Sequence, residues 1–182
     1  DSSFAGEAFS ITKPNVICPT NLDVCINSAA FPLSGAMPLG GDFSGIGVDA
    51  SDNFDPQVAG VGSHTITYLY TDIGGCYDTC MFQIIVHDLP LPIINSNGIT
   101  AICNNNVVAL NTTVSYVSYL WSTNDNMPLI LVNSIGTYTV QVTDDYGCVG
   151  TSLPFDIIAK PPLNPTISAT GPISVCENDT IT

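Results

Sequence analysis

Arginine is absent from this 182-residue chain, and lysine occurs only at Lys13 and Lys160. Against sixteen acidic residues, that leaves a formal net charge of −14. Nucleic acid is excluded as a partner, because binding it needs Lys and Arg to neutralise phosphates. Anionic membrane surfaces repel such a chain. No apolar run reaches the roughly 18 residues of a membrane helix, so no membrane insertion is expected. No signal peptide opens the sequence, so such a segment is expected to have been removed or to lie upstream. Helical periodicity with caps is nearly absent as well.

Catalytic and metal signatures are also missing. No CxxC pair occurs, and His64 and His87 stand away from paired cysteines, which argues against zinc. GxSxG, HExxH and a phosphate-binding glycine loop are all lacking. A carboxylate pair for glycoside hydrolysis would need a cleft that small sandwiches rarely provide. The expectation is a protein that is not an enzyme and holds no cofactor, calcium being the one candidate. Charged residues make up 10% of the chain, against roughly 25% in an average globular protein. Asn, Ser, Thr and Gly must therefore cover its surface.

What is present is cysteine, β-branched residues and a repeat. Seven cysteines without metal spacing read as disulfides, hence an oxidising, extracellular or cell-surface compartment. Gly62–Gly75 (GSHTITYLYTDIGG) parallels Gly136–Gly147 (GTYTVQVTDDYG), and Cys76 and Cys148 follow directly. Upstream, Asp23-Val24-Cys25, Ala101-Ile102-Cys103 and Val175-Cys176 correspond. Pro-rich joints precede the second and third copies, at Leu89–Ile94 and Pro161–Ile167. The resulting division reads residues 1–13 as the end of a preceding module. Modules one and two then occupy 14–88 and 89–161, and 162–182 opens a truncated third. Strands are expected over Thr65–Thr71, Met81–Val86, Val107–Asn111, Tyr116–Ser122, Leu129–Asn133, Tyr138–Thr143 and Pro154–Ile158. The expected fold is all-β: tandem immunoglobulin-like β-sandwich modules stapled by disulfides.

Aligning the copies predicts Cys103–Cys148 and Cys25–Cys76, which leaves Cys18 for Cys80. Cys76 and Cys80 face one side of a strand, and the alternative Cys18–Cys76 with Cys25–Cys80 stays open. Cys176 is expected to be unpaired here.

Gly40–Val48, Phe54-Asp55-Pro56 and Ala59–Tyr68 resemble a repeat of large Bacteroidetes surface proteins. Tyr119–Thr123, Gly136–Val140, Thr143-Asp144 and Gly147-Cys148 resemble its companion. Both are similar to the Ig-like and PKD-like modules of gliding-motility-type adhesins. That resemblance implies type IX secretion, a long array, and neighbouring modules as partners. It points to a stalk or spacer that presents a distal binding region. A carbohydrate-binding module contacting surface glycans, or a filament subunit assembled by strand exchange, are the alternatives.

Among individual residues, Trp121 reads as core packing beside a bridge rather than a sugar-stacking platform. Asp49, Asp52 and Asp55 form an acidic turn, a weak calcium candidate whose spacing does not match an EF-hand. Asn111-Thr112-Thr113 and Asn178-Asp179-Thr180 fit the N-glycosylation pattern. Asp179-Thr180-Ile181 is similar to a Bacteroidetes O-glycosylation signal, with Thr180 the acceptor.

Overall fold

The computed structural model describes residues 13–103, 106–162 and 164–168. Residues 1–12, Cys176 and Thr180 lie outside them, and with these most of the expected preceding and third modules. The regular structure of the described chain is almost entirely strand, joined by turns and loops. Its first unit contains β1 (Leu22–Cys25), β2 (Phe31–Pro32), β3 (Asp42–Ser44), β4 (Asn53–Phe54), the one-turn helix α1 (Pro56–Ala59), β5 (Gly62–Thr71) and β6 (Tyr77–His87). The second contains β7 (Ile94–Ser96), β8 (Ala101–Ile102), β9 (Val108–Thr112), β10 (Ser118–Trp121) and β11 (Leu129–Val132). It ends with β12 (Gly136–Tyr138), β13 (Val140–Thr143), β14 (Val149–Thr151) and β15 (Phe155–Ala159).

Alternation of small, β-branched and aromatic residues puts one row of each strand inward. In β5, Ile66 and Tyr68 are buried; in β6, Phe82, Ile84 and Val86 are. The sheet of the first unit runs β1-β6-β5-β3, with β2 and β4 as a separate pair. β1 lies parallel to β6, and β5 pairs antiparallel with β6 over its full length. The second unit repeats this arrangement with breaks. β13 pairs with β10 and β14, β12 pairs with β15, and β15 pairs in parallel with β8. The opposing layer is β11-β9-β7. A parallel pairing of an early strand with the last strand, beside an F–G type hairpin, defines an immunoglobulin-like sandwich.

Each unit has its own core. Phe54, Ile66, Phe82, Ile84 and Val86 fill the first. Eleven buried side chains fill the second, with Trp121 the largest. The smaller core carries its own staple: Cys18 is bonded to Cys80, tying the segment before β1 to β6. Closing a loop of 62 residues restricts the unfolded chain by about 4 kcal/mol in the chain-entropy model. α1 was not anticipated. Asp55 caps it by accepting from the Gln57 amide, and Pro56 occupies its first turn, where no amide is needed.

Candidate functional site: the joint between the two units

The second disulfide does not lie within either unit. Cys25, at the end of β1, is bonded to Cys148, which precedes β14. The expected Cys25–Cys76 and Cys103–Cys148 pairs are therefore corrected, and among the described residues Cys76 and Cys103 are both unpaired thiols. The reason is strand direction. β1 runs parallel to β6, so Cys25 lies opposite His87. Cys76 precedes β6, eleven residues (76 to 87) upstream of that point, or about 36 Å at about 3.3 Å per residue. A disulfide needs Cα atoms within about 7 Å. The two cysteines of one unit stand at opposite poles and cannot meet.

The hairpin turn that carries Cys148 is built by Asp144 and Gly147. The Asp144 carboxylate accepts the Cys148 amide at 2.8 Å, and the Asp144 amide donates to the Cys148 carbonyl at 3.0 Å. Gly147 takes φ 82°, a conformation that favours glycine. The turn before Cys76 has the same construction. Asp72 accepts the Cys76 amide at 2.9 Å, its own amide donates to the Cys76 carbonyl at 2.8 Å, and Gly75 has φ 82°. Asp144 thus serves the hairpin.

Three further contacts close the joint. Tyr146, in the Cys148 turn, stacks on His87 at the end of β6, with ring centroids 3.6 Å apart and planes 14° from parallel. On its own unit, His87 Nε2 lies 2.7 Å from Asp23 Oδ1. Gly150 lies directly under the linker, where an added Cβ would overlap the Pro90 carbonyl. Backbone would meet backbone there, so no rotamer change could relieve it. Tyr146 and Gly150 were not singled out from the sequence, and His87 was weighed there only as a metal ligand. A lone glycine within a strand, as at Gly150, is the one local signal that marks close backbone approach.

The other candidate residues have structural partners. Trp121 is 1% exposed and donates Nε1–H to the Met127 carbonyl at 2.9 Å. It belongs to the core, although no bridge joins Cys103 to Cys148. The acidic turn does not assemble a cation site. Asp49 accepts the amides of Ser51 and Asn53, Asp52 accepts the Phe43 amide at 2.9 Å, and Asp55 caps α1. Among the described residues, no three His, Cys, Asp or Glu side chains converge on a point that could hold a metal. His64 bonds the Gly60 carbonyl. Lys13 pairs with Asp78 at 2.6 Å, and Thr112 of the Asn111 sequon uses its hydroxyl on the Val114 carbonyl.

Hydrogen bonds from Asn53, backbone first, and from Ser51 hold the Asp49 carboxyl below the usual carboxylate range. The Lys13 side chain does the same for Asp78. A carboxyl with a depressed folded pKa stabilises the fold above its unfolded pKa, and that contribution is lost as pH falls through the folded value. Stability should therefore fall as pH drops below about 4. Asp49→Asn should flatten that acid limb, read as thermal midpoint against pH; an unchanged slope would contradict the assignment.

The geometry defines a class: an all-β, Ig-like chain stapled by disulfides, one of which joins two units. Residues 10–86 match the family model of the HYR domain. The match spans less than half of the chain and places that region among extracellular Ig-like domains. Two disulfides fit an oxidising extracellular location, and no described helix is long and apolar enough to cross a membrane. No curated protein matches. Among solved structures, the chain is similar to murine CEACAM1b, at 12% identity and TM-score 0.33, over 76% of this chain and 96% of that one. It is also similar to SGBP-B of the Bacteroides ovatus mixed-linkage glucan utilization locus, solved with a mixed-linkage heptasaccharide. That likeness has 11% identity and TM-score 0.28, and covers 74% of this chain and 42% of that protein's length.

Proposed function

We propose that the chain is a non-enzymatic spacer: a stalk segment of a secreted surface adhesin or extracellular fibre, built from tandem copies of one Ig-like module. The observation that carries this reading is the Cys25–Cys148 bond between the two units. A spacer needs its modules held in one orientation, and a covalent lock between neighbours supplies that. The stacked His87–Tyr146 pair and the close packing of Gly150 on the linker support the same reading. The Bacteroidetes-type adhesin, its type IX secretion and the long array come from the sequence resemblance and form part of the proposal.

A carbohydrate-binding role receives less support. Tyr77 and Tyr146 are the aromatic side chains more than half exposed among the described residues, and Tyr146 is stacked in the joint. The apolar cleft beside the linker is walled by Leu91, Pro92, Ile93, Leu153 and Pro154. It offers a sugar few of the polar groups by which ligand sites set orientation. The test is a glycan array backed by titration, together with small-angle scattering of the purified chain. An elongated two-unit particle of fixed shape, with no saturable glycan binding, is expected. Micromolar binding to one glycan class would overturn the spacer reading.

A further inference from the structure

Cys25 and Cys148 each have a counterpart, and the two counterparts are the cysteines left unpaired among the described residues. Cys76 and Cys148 close turns of the same construction, through Asp72 and Gly75 or Asp144 and Gly147. Cys25 and Cys103 also occupy one kind of place. Cys25 ends β1 opposite His87, and Ile26 donates its amide to the His87 carbonyl at 2.8 Å. In the second unit, Ala101 and Ile102 of β8 lie opposite Ile158 and Ala159 of β15. The same register sets Cys103 opposite Lys160, whose amide bonds the Ile102 carbonyl at 2.9 Å. Cys103 thus stands at the pole of the second unit that corresponds to the bonded pole of the first. It is exposed, twelve residues (148 to 160) along from the joint.

We infer that Cys103 and Cys76 are the two open halves of the joint that Cys25–Cys148 closes. Cys103 takes the turn cysteine of the next module along the axis, and Cys76 takes the strand-end cysteine of the module before. The ligand is defined by its chemistry: a cysteine that completes an Asp-x-x-Gly turn on an Ig-like module. A second copy of this chain supplies one in Cys76, and a neighbouring module of the same polypeptide is the other source. The surroundings fit such a partner. The Cys76 turn carries Ile73, fully exposed at its tip. Cys103 borders a mixed cleft walled by Ile102, Asn133, Ser134, Ile135, Ala159 and Lys160. The apolar tip would meet its Ile102, Ile135 and Ala159 wall, and the acidic turn its lysine and amide side.

Bond formation is a two-electron oxidation. The two thiols lose two protons and two electrons to form the Sγ–Sγ bond, and a disulfide oxidant such as oxidised glutathione is reduced to two thiols. The contact is head to tail between unlike poles, so each copy added leaves a further half-joint open to the next.

The inference rests on the tandem-module part of the spacer reading, and its test can fail alone. In a Cys176→Ser background, the chain would be incubated in glutathione redox buffer as parent, as Cys76→Ser, as Cys103→Ser, and as a mixture of the two variants. Neither substitution touches an existing bridge. The parent should give a ladder of oligomers on non-reducing gels, with a cross-linked peptide joining Cys103 to Cys76. The mixture should give a mixed dimer in about tenfold excess over the two homodimers together, a preference worth about 1.4 kcal/mol. Non-reduced peptide maps of the secreted protein then identify the source. Cys103 linked to the Cys76 peptide indicates a second copy, and Cys103 linked to another turn peptide indicates a neighbouring module. Mixed dimers merely equal to the two homodimers together, or both thiols free in the secreted protein, would overturn the inference. With the elongated shape unchanged, either result would leave the spacer reading standing.

Discussion

Replacing Cys25 by Ser and Cys148 by Ala should leave both units folded while freeing their relative orientation. Cys148 is fully buried, and alanine keeps its site apolar; Cys25 is partly exposed and tolerates a hydroxyl. The two cores share no residue, so neither loses its packing. What remains at the joint is the His87–Tyr146 stack and the Gly150–Pro90 contact. An aromatic pair contributes about 0.5–1.5 kcal/mol, which leaves a substantial population of open joints at room temperature. Scattering should show a broadened distribution of maximum dimension. In addition, the variant loses the cross-link that spans 123 residues of its unfolded chain, worth up to about 5 kcal/mol in the chain-entropy model. Non-reducing urea melts should then resolve separate transitions for the two units. An unchanged particle shape would show that packing alone sets the orientation.

Trp121→Ala should strongly destabilise the second unit and spare the first. Trp121 is the largest buried side chain and sits among Val108, Leu110, Val140 and Val142. Truncating a buried Trp or Phe to alanine costs about 3–5 kcal/mol. A small domain has total stability of about 5–15 kcal/mol, so the loss consumes much of it. It also leaves the Met127 carbonyl without its indole donor. Trp121→Phe should retain most of the stability and serves as the control. NMR resonances of Ile66, Phe82 and Ile84 should stay dispersed in the alanine variant, because none of them belongs to that core. If Trp121→Ala melts like the parent, the residue is not the core centre described above.

Most strands were legible in the sequence because alternation of buried and exposed positions is a local property. The expected Met81–Val86 strand lies within β6, Leu129–Asn133 nearly coincides with β11, and Trp121 reads as core from its place in the pattern. The disulfides were only partly legible. Comparing the repeats shows which cysteines are equivalent but not at which pole each lies. That depends on β1 running parallel to β6, a long-range pairing with no sequence signature. One clue was available: a cysteine directly after a hairpin glycine sits at the end of a sandwich rather than across its middle. The acidic turn misled for a different reason. Asp49, Asp52 and Asp55 are the residue types a cation would need, but also the types that cap turns and helices, and backbone amides claim all three.

The two bridges also determine how far the segment can be drawn out under tension. A pull applied at residues 13 and 161 reaches Cys25, crosses the sulfur–sulfur bond to Cys148, and leaves along the last strands. About 27 residues lie on that shortest covalent route, 13–25 and 148–161. At about 3.5 Å each, their contour length is about 95 Å. The 122 residues between Cys25 and Cys148 form a closed loop off the load path and cannot be paid out while the bond holds. With Cys25–Cys148 reduced, the shortest route crosses Cys18–Cys80 instead, 13–18 and 80–161, about 88 residues or about 310 Å; with both bonds reduced, all 149 residues could extend to about 520 Å. The oxidised segment is thus a tether of nearly fixed length, and reduction of one buried bond would make it a long extensible one.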